Sequence, residues 1–456
     1  MRINKSPWIH QLNQDRSVIS LTSDLDTDIA IVGAGIAGIS TAFFLLKYTN
    51  HRVVVLDQGK LAHGATGHNA GQVVAHFEQP LEEIVQEFGF EKTKDALHDL
   101  NSGWLLIDEM YTDANLDILF SRVTGVCGYS DLHQVLLALK DIEIERLAGL
   151  NSSQMLINKD APFAHLIPKT FERLYTLVSH EEILKRLETE DKSFQAVVSE
   201  QAACMNSALF CQEIVGYLFK KYPQRFSLYE NTHIVKTLLK KNHVLLDAGK
   251  YTIHASKVVL CTNGFESIDI INEGDLAIDK WFHHLVNGRV GYMSGYLEKM
   301  NKEPTVLAYY TEENDPLNNQ PDPYFYLTRR PHDFQDEKHN LICVGGPEVE
   351  IPDRGEYLYD YDYPEKMQGD IDDFIKREYD TDPNRKIDYQ FTWHGLMGYT
   401  PNRIRVIGKE PKNPVLLYNL GCNGIGLIPS IYGGRRISRI IAGEKMRPSI
   451  FDPRHS

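Results

Sequence analysis

The chain has 456 residues, a formal net charge of −14 and 42% hydrophobic residues, the composition of a water-soluble globular protein too long for one compact core. The acidic balance argues against a nucleic-acid backbone or an anionic membrane as the main partner, because either would be repelled unless a basic patch offset the field. Six cysteines without a C-x-x-C pair suggest neither a structural zinc nor a secreted disulfide framework, and a reducing cytosol is the simplest setting.

The first stretch, "MRINKSPWIHQLNQDRS", lacks the apolar core of a signal peptide. Ile29 to Leu46 is eighteen residues without a charge and resembles a membrane span at first sight. Glycines at 33, 35 and 38 point elsewhere, because they fit G-x-G-x-x-G between a β-rich run, Ile29 to Val32, and a helical one. Gly33 permits the tight turn, Gly35 lets backbone approach a pyrophosphate, and Gly38 lets the helix pack on the strand. The next strand, "RVVVLD", ends at Asp57, 24 residues after Gly33, where a carboxylate accepts ribose hydroxyls. A dinucleotide site is therefore expected and a transmembrane segment is not; peripheral membrane association stays open.

After Asp57 and Gln58 comes "GKLAHGATGHNAGQ", a loop of small residues that a flat ring could lie against. Residues 80 to 187 read as largely helical. A helix in "MNSALFCQEIVGYLFKKY" precedes short alternating strands and "KVVLCTNGF", a buried parallel strand closing on Gly264. Between 281 and 346, β-rich pieces broken by Gly, Pro and Asn suit an antiparallel sheet. The acids of "EYLYDYDYPEKM" lack the alternation and glycine of a calcium loop, and no metal is expected. "PVLLYNLGCNGIGLIPSIYGGRRISRIIAG" returns to strand, glycine turn and helix, so two distant segments supply one nucleotide domain.

The opening motif, the "GATGHNAGQ" loop, "VVLCTNG" and "GCNGIGL" together resemble the FAD-dependent D-amino-acid oxidase (DAO) family, with the look of its gamma-glutamylputrescine oxidase-like and glycine oxidase-like members. The resemblance covers most of 1 to 80 and 205 to 443. It implies an α/β fold: a discontinuous Rossmann-like FAD-binding domain (1–80, 195–280, 390–456), a largely helical insertion (81–194) and a substrate-binding antiparallel sheet domain (281–389).

Carried over by position, the resemblance assigns Gly33, Gly35, Ile36, Ala37 and Gly38 to the FAD pyrophosphate and Asp57 to the adenosine ribose, with Gln58 beside it as a further cofactor contact. It places Ala65, Thr66, His68, Asn69, Ala70, Gly71 and Gln72 along the flavin, and Val235 at the adenine. Thr262, Asn263 and Gly264 match the strand end near ribose or pyrophosphate. Gly421, Asn423, Gly424, Ile425, Gly426 and Leu427 fall beneath the pyrimidine side of the ring. "TGHNAG" also puts His68 in the register of a histidine that some members bond covalently to the flavin, but Gly67 departs from their tryptophan and the putrescine-type members have arginine at this place. A non-covalent contact is expected.

On the substrate side, "YFYLTRRPHDFQDEKHNLICVGG" resembles the family's strand, arginine, hairpin and strand, which makes Arg329 the expected carboxylate ligand, with Arg330 next. Tyr324 and Tyr326 alternate along that strand and could line a pocket, or be sheet packing. His394, in "WHGLMGYTP", is expected near the ring or as a packing residue, and His283 and His284 are weaker candidates. The implied reaction is oxidation of a C–N bond in an amine or amino acid, with oxygen or another electron acceptor taking the electrons. Rivals are an NAD-dependent dehydrogenase and a flavin-binding partner subunit with an idle site.

Overall fold

The computed structural model describes residues 4–264, 268–273, 278, 286–311, 324–351, 357–379 and 386–454. His283 and His284 lie outside the described residues. The chain is mixed α/β and builds two large sheets.

The first sheet is centred on the strand Leu25–Val32, which pairs in parallel with Val53–Leu56 on one side and Thr252–Leu260 on the other. Helices cover such a strand on both faces, which is why Ile29 to Val32 is apolar without alternation. Phe226–Tyr229 continues the parallel order beyond Val53–Leu56, and Leu416–Leu420 pairs in parallel with Thr252–Leu260. The strands Lys236–Leu239 and Val244–Asp247 add an antiparallel extension.

The uncharged run is strand, turn and helix: the helix Ile36–Tyr48 is buried from Ile36 to Leu46. No described helix is long and apolar enough to cross a membrane. Its apolar residues face the sheet on one side and the helix Leu427–Ile441 on the other, so it is hydrophobic nearly all round. Ser438 Oγ donates to the Phe44 carbonyl at 3.0 Å across that helix pair. The beginning and end of the chain are thus packed as one unit.

The second sheet runs in the order Tyr389–Tyr399, Asn287–Lys299, Glu337–Ile351, Tyr324–Phe334, Thr305–Tyr310, Phe120–Tyr129, Ala196–Met205, Met155–Asn158, Tyr175–Val178. It is mostly antiparallel, and it redraws the expected boundaries. The 81–194 segment does carry the helices Leu81–Phe88, Phe90–Ala114, Leu132–Leu147 and His180–Leu187. It also gives three strands to this sheet, and Ala196–Met205 and Tyr389–Tyr399, expected in the dinucleotide domain, belong here as well. The cause is long-range pairing: Phe120–Tyr129 and Ala196–Met205 match along ten residue pairs, a partnership that no local pattern encodes.

An N-terminal arm crosses between the sheets. Lys5 N donates to Thr392 O at 2.8 Å, Ser6 Oγ to Gly67 O at 2.5 Å, and Trp8 Nε1 to Asn69 O at 2.5 Å. The Trp8 ring meets Trp393 edge-on at 6.4 Å. Residues 67 to 69 are thereby held against the second sheet.

Candidate active site

The strand Leu25–Val32 ends at Gly33 with φ at +107°, where a Cβ would sit 2.5 Å from the Cys261 carbonyl. A Cβ on Gly38 would lie 1.8 Å from the Gly33 carbonyl, so helix and turn touch through backbone alone. Gly35 caps the helix without a side-chain bond, and the Ile36 amide donates to Thr66 Oγ1 at 2.9 Å. That bond pins the 64–72 loop to the helix start.

Asp57 accepts from the Ala34 amide at 2.7 Å and from the Gly59 amide at 2.8 Å. Burial pushes its carboxyl up, and the two backbone bonds only partly oppose this. Across the groove, Asn263 Oδ1 accepts from the Cys422 amide at 2.8 Å and Asn423 Oδ1 from the Thr400 amide at 2.8 Å. Asn263, Asn423 and Gly424 all have left-handed backbone, which bends the strand ends around the groove.

These segments enclose one continuous cavity of about 2350 Å³. Its wall includes Gly33, Gly35, Ile36 and Ala37 from the first turn, with Asp57 and Gln58 from the second strand end. From the small-residue loop come Ala65, Thr66, His68, Asn69, Ala70 and Gln72; the far side adds Thr262, Asn263 and Gly424 to Leu427. Gly38, Gly71, Gly264, Gly421 and Asn423 are not on the wall, and act by packing or by shaping turns. Gly71, for example, lies against the Trp8 ring.

Val235 differs from its expected place. Its amide donates to the Asp247 carbonyl at 2.9 Å, its carbonyl accepts from Asp269 at 3.0 Å, and its side chain is exposed. Both backbone groups are taken by neighbouring strands, and Ile234 is the residue on the cavity wall.

Arg329 also differs. The strand Tyr324–Phe334 turns Tyr326 to the cavity, where its ring lies on Gly345, a residue whose Cβ would sit 2.6 Å from that ring. Arg329, three residues on, is off the cavity wall, buried, with Nη1 and Nη2 each donating to a Glu188 oxygen at 2.7 Å. Nη1 also donates to Tyr379 Oη at 2.8 Å and Nε to Glu303 O at 2.7 Å. Its donors are spent away from the cavity. Arg330 lies buried over the Trp8 ring at 5.4 Å and is not on the wall either. The side chain of Tyr324 lies outside the described residues.

His394 is a satisfied packing histidine. Its Nε2 donates to the Tyr361 carbonyl at 3.0 Å, which leaves Nδ1 to accept from Tyr357 Oη at 2.9 Å. Burial lowers its pKa and keeps it neutral. His68 is on the wall; its Nδ1 donates to the Gly64 carbonyl at 3.0 Å and burial pushes it down to about 4.

Sequence reasoning missed a second group of wall residues: His76, Glu78, Asp141, Glu145, Glu200 and Glu348. They come from four stretches of chain, at 76–78, 141–145, 200 and 348, and no local spacing signals them. Met293, Leu396 and Met397, with Tyr326, form the floor beneath the small-residue loop.

A parallel sheet with a glycine turn, an acid at the next strand end and a cavity walled by backbone from both chain ends defines a dinucleotide-binding oxidoreductase. The chain belongs to the FAD dependent oxidoreductase (DAO) family, whose sequence model matches residues 28–440. It is 31% identical over 88 residues to the probable oxidoreductase OrdL of Haemophilus influenzae, covering 19% of this chain and 20% of that protein. It is 29% identical over 75 residues to gamma-glutamylputrescine oxidoreductase of Escherichia coli, covering 16% and 17%. The chain thus spans only about a fifth of the length of these curated relatives. In fold it is similar to glycine oxidase from Geobacillus kaustophilus, with a TM-score of 0.66 at 15% identity over 95% of this chain and 99% of the other.

FAD is the cofactor of this family, and the groove suits it. The Thr262 hydroxyl oxygen is buried at the strand end without a partner, and the turn at Gly33 to Gly38 has no room for side chains that would keep a pyrophosphate away.

Proposed function

We propose that the protein oxidises a C–N bond of a small amine or amino acid. Bound FAD supplies the two-electron acceptor that takes hydride from the carbon beside the nitrogen. The nitrogen loses a proton, the product leaves as an imine, and water converts it to a carbonyl compound and ammonia or an amine. Oxygen or another acceptor then removes the electrons.

Asp57 would accept from ribose hydroxyls, and the first-turn amides of Gly35 and Ala37 would face the pyrophosphate, that of Ile36 being held by Thr66. The 65–72 loop and Gly424 to Leu427 would flank the ring, the latter segment leading into a helix N-terminus that favours negative charge. His68 is uncharged near neutral pH and its one ring proton is engaged at the Gly64 carbonyl. Tyr326 is pushed up by burial and stays un-ionised, so floor and loop orient the substrate and exclude water rather than exchange protons.

The observation that carries the reading is the single cavity in which the sheet floor at Met293, Tyr326 and Met397 faces the small-residue loop. The names of glycine oxidase and gamma-glutamylputrescine oxidoreductase favour an amino compound there. The test is anaerobic mixing of FAD-loaded protein with D-amino acids, N-methyl amino acids and aliphatic amines. Bleaching of the flavin band by at least one of them is expected. Persistent colour with all of them overturns the reading in favour of a partner subunit, and reduction by NADH alone favours a nicotinamide-linked enzyme.

A further inference from the structure

The carboxyl end of the first sheet, where the paired strands Thr252–Leu260 and Leu416–Leu420 stop, carries a buried positive charge. Arg405 stands just before the strand Val406–Lys409, whose first residue pairs with Leu420, so its side chain lies across the end of that neighbour. Its Nε donates to Asn419 Oδ1 at 2.8 Å, Nη2 to the Asn419 carbonyl at 3.0 Å and Nη1 to the Gly421 carbonyl at 3.3 Å. Arg405 is 6% exposed and is on the cavity wall with Cys261, Thr262, Cys422 and Gly424. Among the described residues it is the one buried lysine or arginine on that wall.

Those three acceptors satisfy hydrogen bonds but bring no negative charge. The titratable groups that face Arg405 among the described residues are two thiols, those of Cys422 and Cys261. Burial lowers its pKa to about 10 against the opposing pull of these thiols, so the guanidinium is cationic at neutral pH. It has five N–H groups, of which three are used. The buried Arg329 and Arg436 each meet a carboxylate, Glu188 and Asp452, and Arg330 faces the Trp8 ring. A charge taken out of water without such a partner is costly, and a bound anion removes the cost.

The surroundings of Arg405 suit an anion that arrives from the cavity. Asn419 Nδ2 donates to the Ala37 carbonyl at 3.4 Å and to the Ser430 carbonyl at 3.0 Å, which fixes Arg405 between the starts of the helices Ile36–Tyr48 and Leu427–Ile441. Both starts are positive dipole ends. On the adjoining strand tip, next to Cys261, the Thr262 hydroxyl oxygen is buried without a partner.

We propose that Arg405 is the resident counter-charge for bound FAD, supplying positive charge to an anionic part of the dinucleotide, either its pyrophosphate or the ring when that becomes negative. The proposal rests on FAD as the cofactor and not on amine oxidation: a loaded protein that bleaches with no amine retains this charge.

Two measurements on the FAD-loaded protein test it. Recovery of free-flavin fluorescence on dilution gives the FAD dissociation constant. Sulfite adds to flavin N5 and leaves a negative charge on the ring, so its affinity reports how well that charge is stabilised. Arg405→Gln keeps donors for the carbonyls and removes the charge, while Arg405→Lys keeps the charge and loses the planar fork. The glutamine variant is expected to bind FAD or sulfite about tenfold or more weaker, the scale of one charge pair at a partly dry wall, and the lysine variant to recover most of this at about pH 6. Loss confined to FAD binding places the charge at the pyrophosphate, loss confined to sulfite places it at the ring, and loss of both has it serve the two together. Unchanged affinities in the glutamine variant, or a lysine variant as impaired as the glutamine one, overturn the proposal and leave Arg405 as a brace for the turn at Gly421. Thermal melts identify the folded variants. Should Arg405→Gln not fold, the lysine variant decides alone: a buried ammonium sheds its proton more readily than a guanidinium, so its FAD or sulfite affinity relative to the parent should fall between about pH 6 and 9. A ratio that stays constant over that range overturns the proposal.

Discussion

Arg329 and Glu188 form a two-pronged bridge, each guanidinium nitrogen 2.7 Å from its own carboxylate oxygen, away from the cavity that Tyr326 lines. Replacing Arg329 with leucine should therefore cost stability, about 3 kcal/mol for breaking a buried pair, and leave substrate affinity of the folded fraction unchanged. Denaturant unfolding and KM measured side by side separate the two effects. A tenfold rise in KM at unaltered stability would return Arg329 to the substrate site.

Gly38 and Gly216 make an opposed pair. A methyl at Gly38 would lie 1.8 Å from the Gly33 carbonyl, so Gly38→Ala must prise the helix from the turn, at about 3 kcal/mol, and FAD retention should fall with it. Gly216 sits exposed in the helix Ser207–Lys221 with nothing near its virtual Cβ, and Gly216→Ala should stabilise by about 0.5–1 kcal/mol. Melting temperature and flavin content of the two variants check both signs.

His68 is predicted to hold FAD without a covalent bond. Acid precipitation should leave the yellow colour in the supernatant, and the denatured chain should have the mass of the bare polypeptide. Colour retained in the pellet refutes this.

Glu145 gives a stability signature with a defined sign. Burial raises its carboxyl to about 7, His76 opposing and Glu200 assisting, from an ordinary value of 4.5. The folded state then binds more protons than the unfolded state between those values, so the group's contribution is present below pH 4.5 and is lost as pH rises through 7. Glu145→Gln should accordingly be little different from the parent at pH 4.5 and more stable than it at pH 8. Identical melting differences at the two pH values would contradict the assignment.

The dinucleotide groove was legible because its parts are local: a glycine turn, an acid at the next strand end and a second glycine turn each declare themselves within a dozen residues. Parity of the strand carried a warning that the family resemblance obscured. Tyr326 and Arg329 are an odd number of residues apart, so a regular strand cannot turn both to one pocket. Phe120–Tyr129 gave no comparable signal, since its place in the second sheet comes from Ala196–Met205 and Thr305–Tyr310, distant in sequence. The acidic wall residues are hidden for the same reason: Glu78, Glu145 and Glu200 reach one cavity only after that sheet has formed.

The helix pair Ile36–Tyr48 and Leu427–Ile441 also sets an order of events during synthesis. A nascent chain on the ribosome exposes the glycine turn at Gly33 early, yet the opposite wall of the groove, Gly424 to Leu427, emerges almost four hundred residues later. A flavin held between both walls would be captured late in biogenesis, and the yellow colour of a preparation would then report that translation has reached and folded the closing helix.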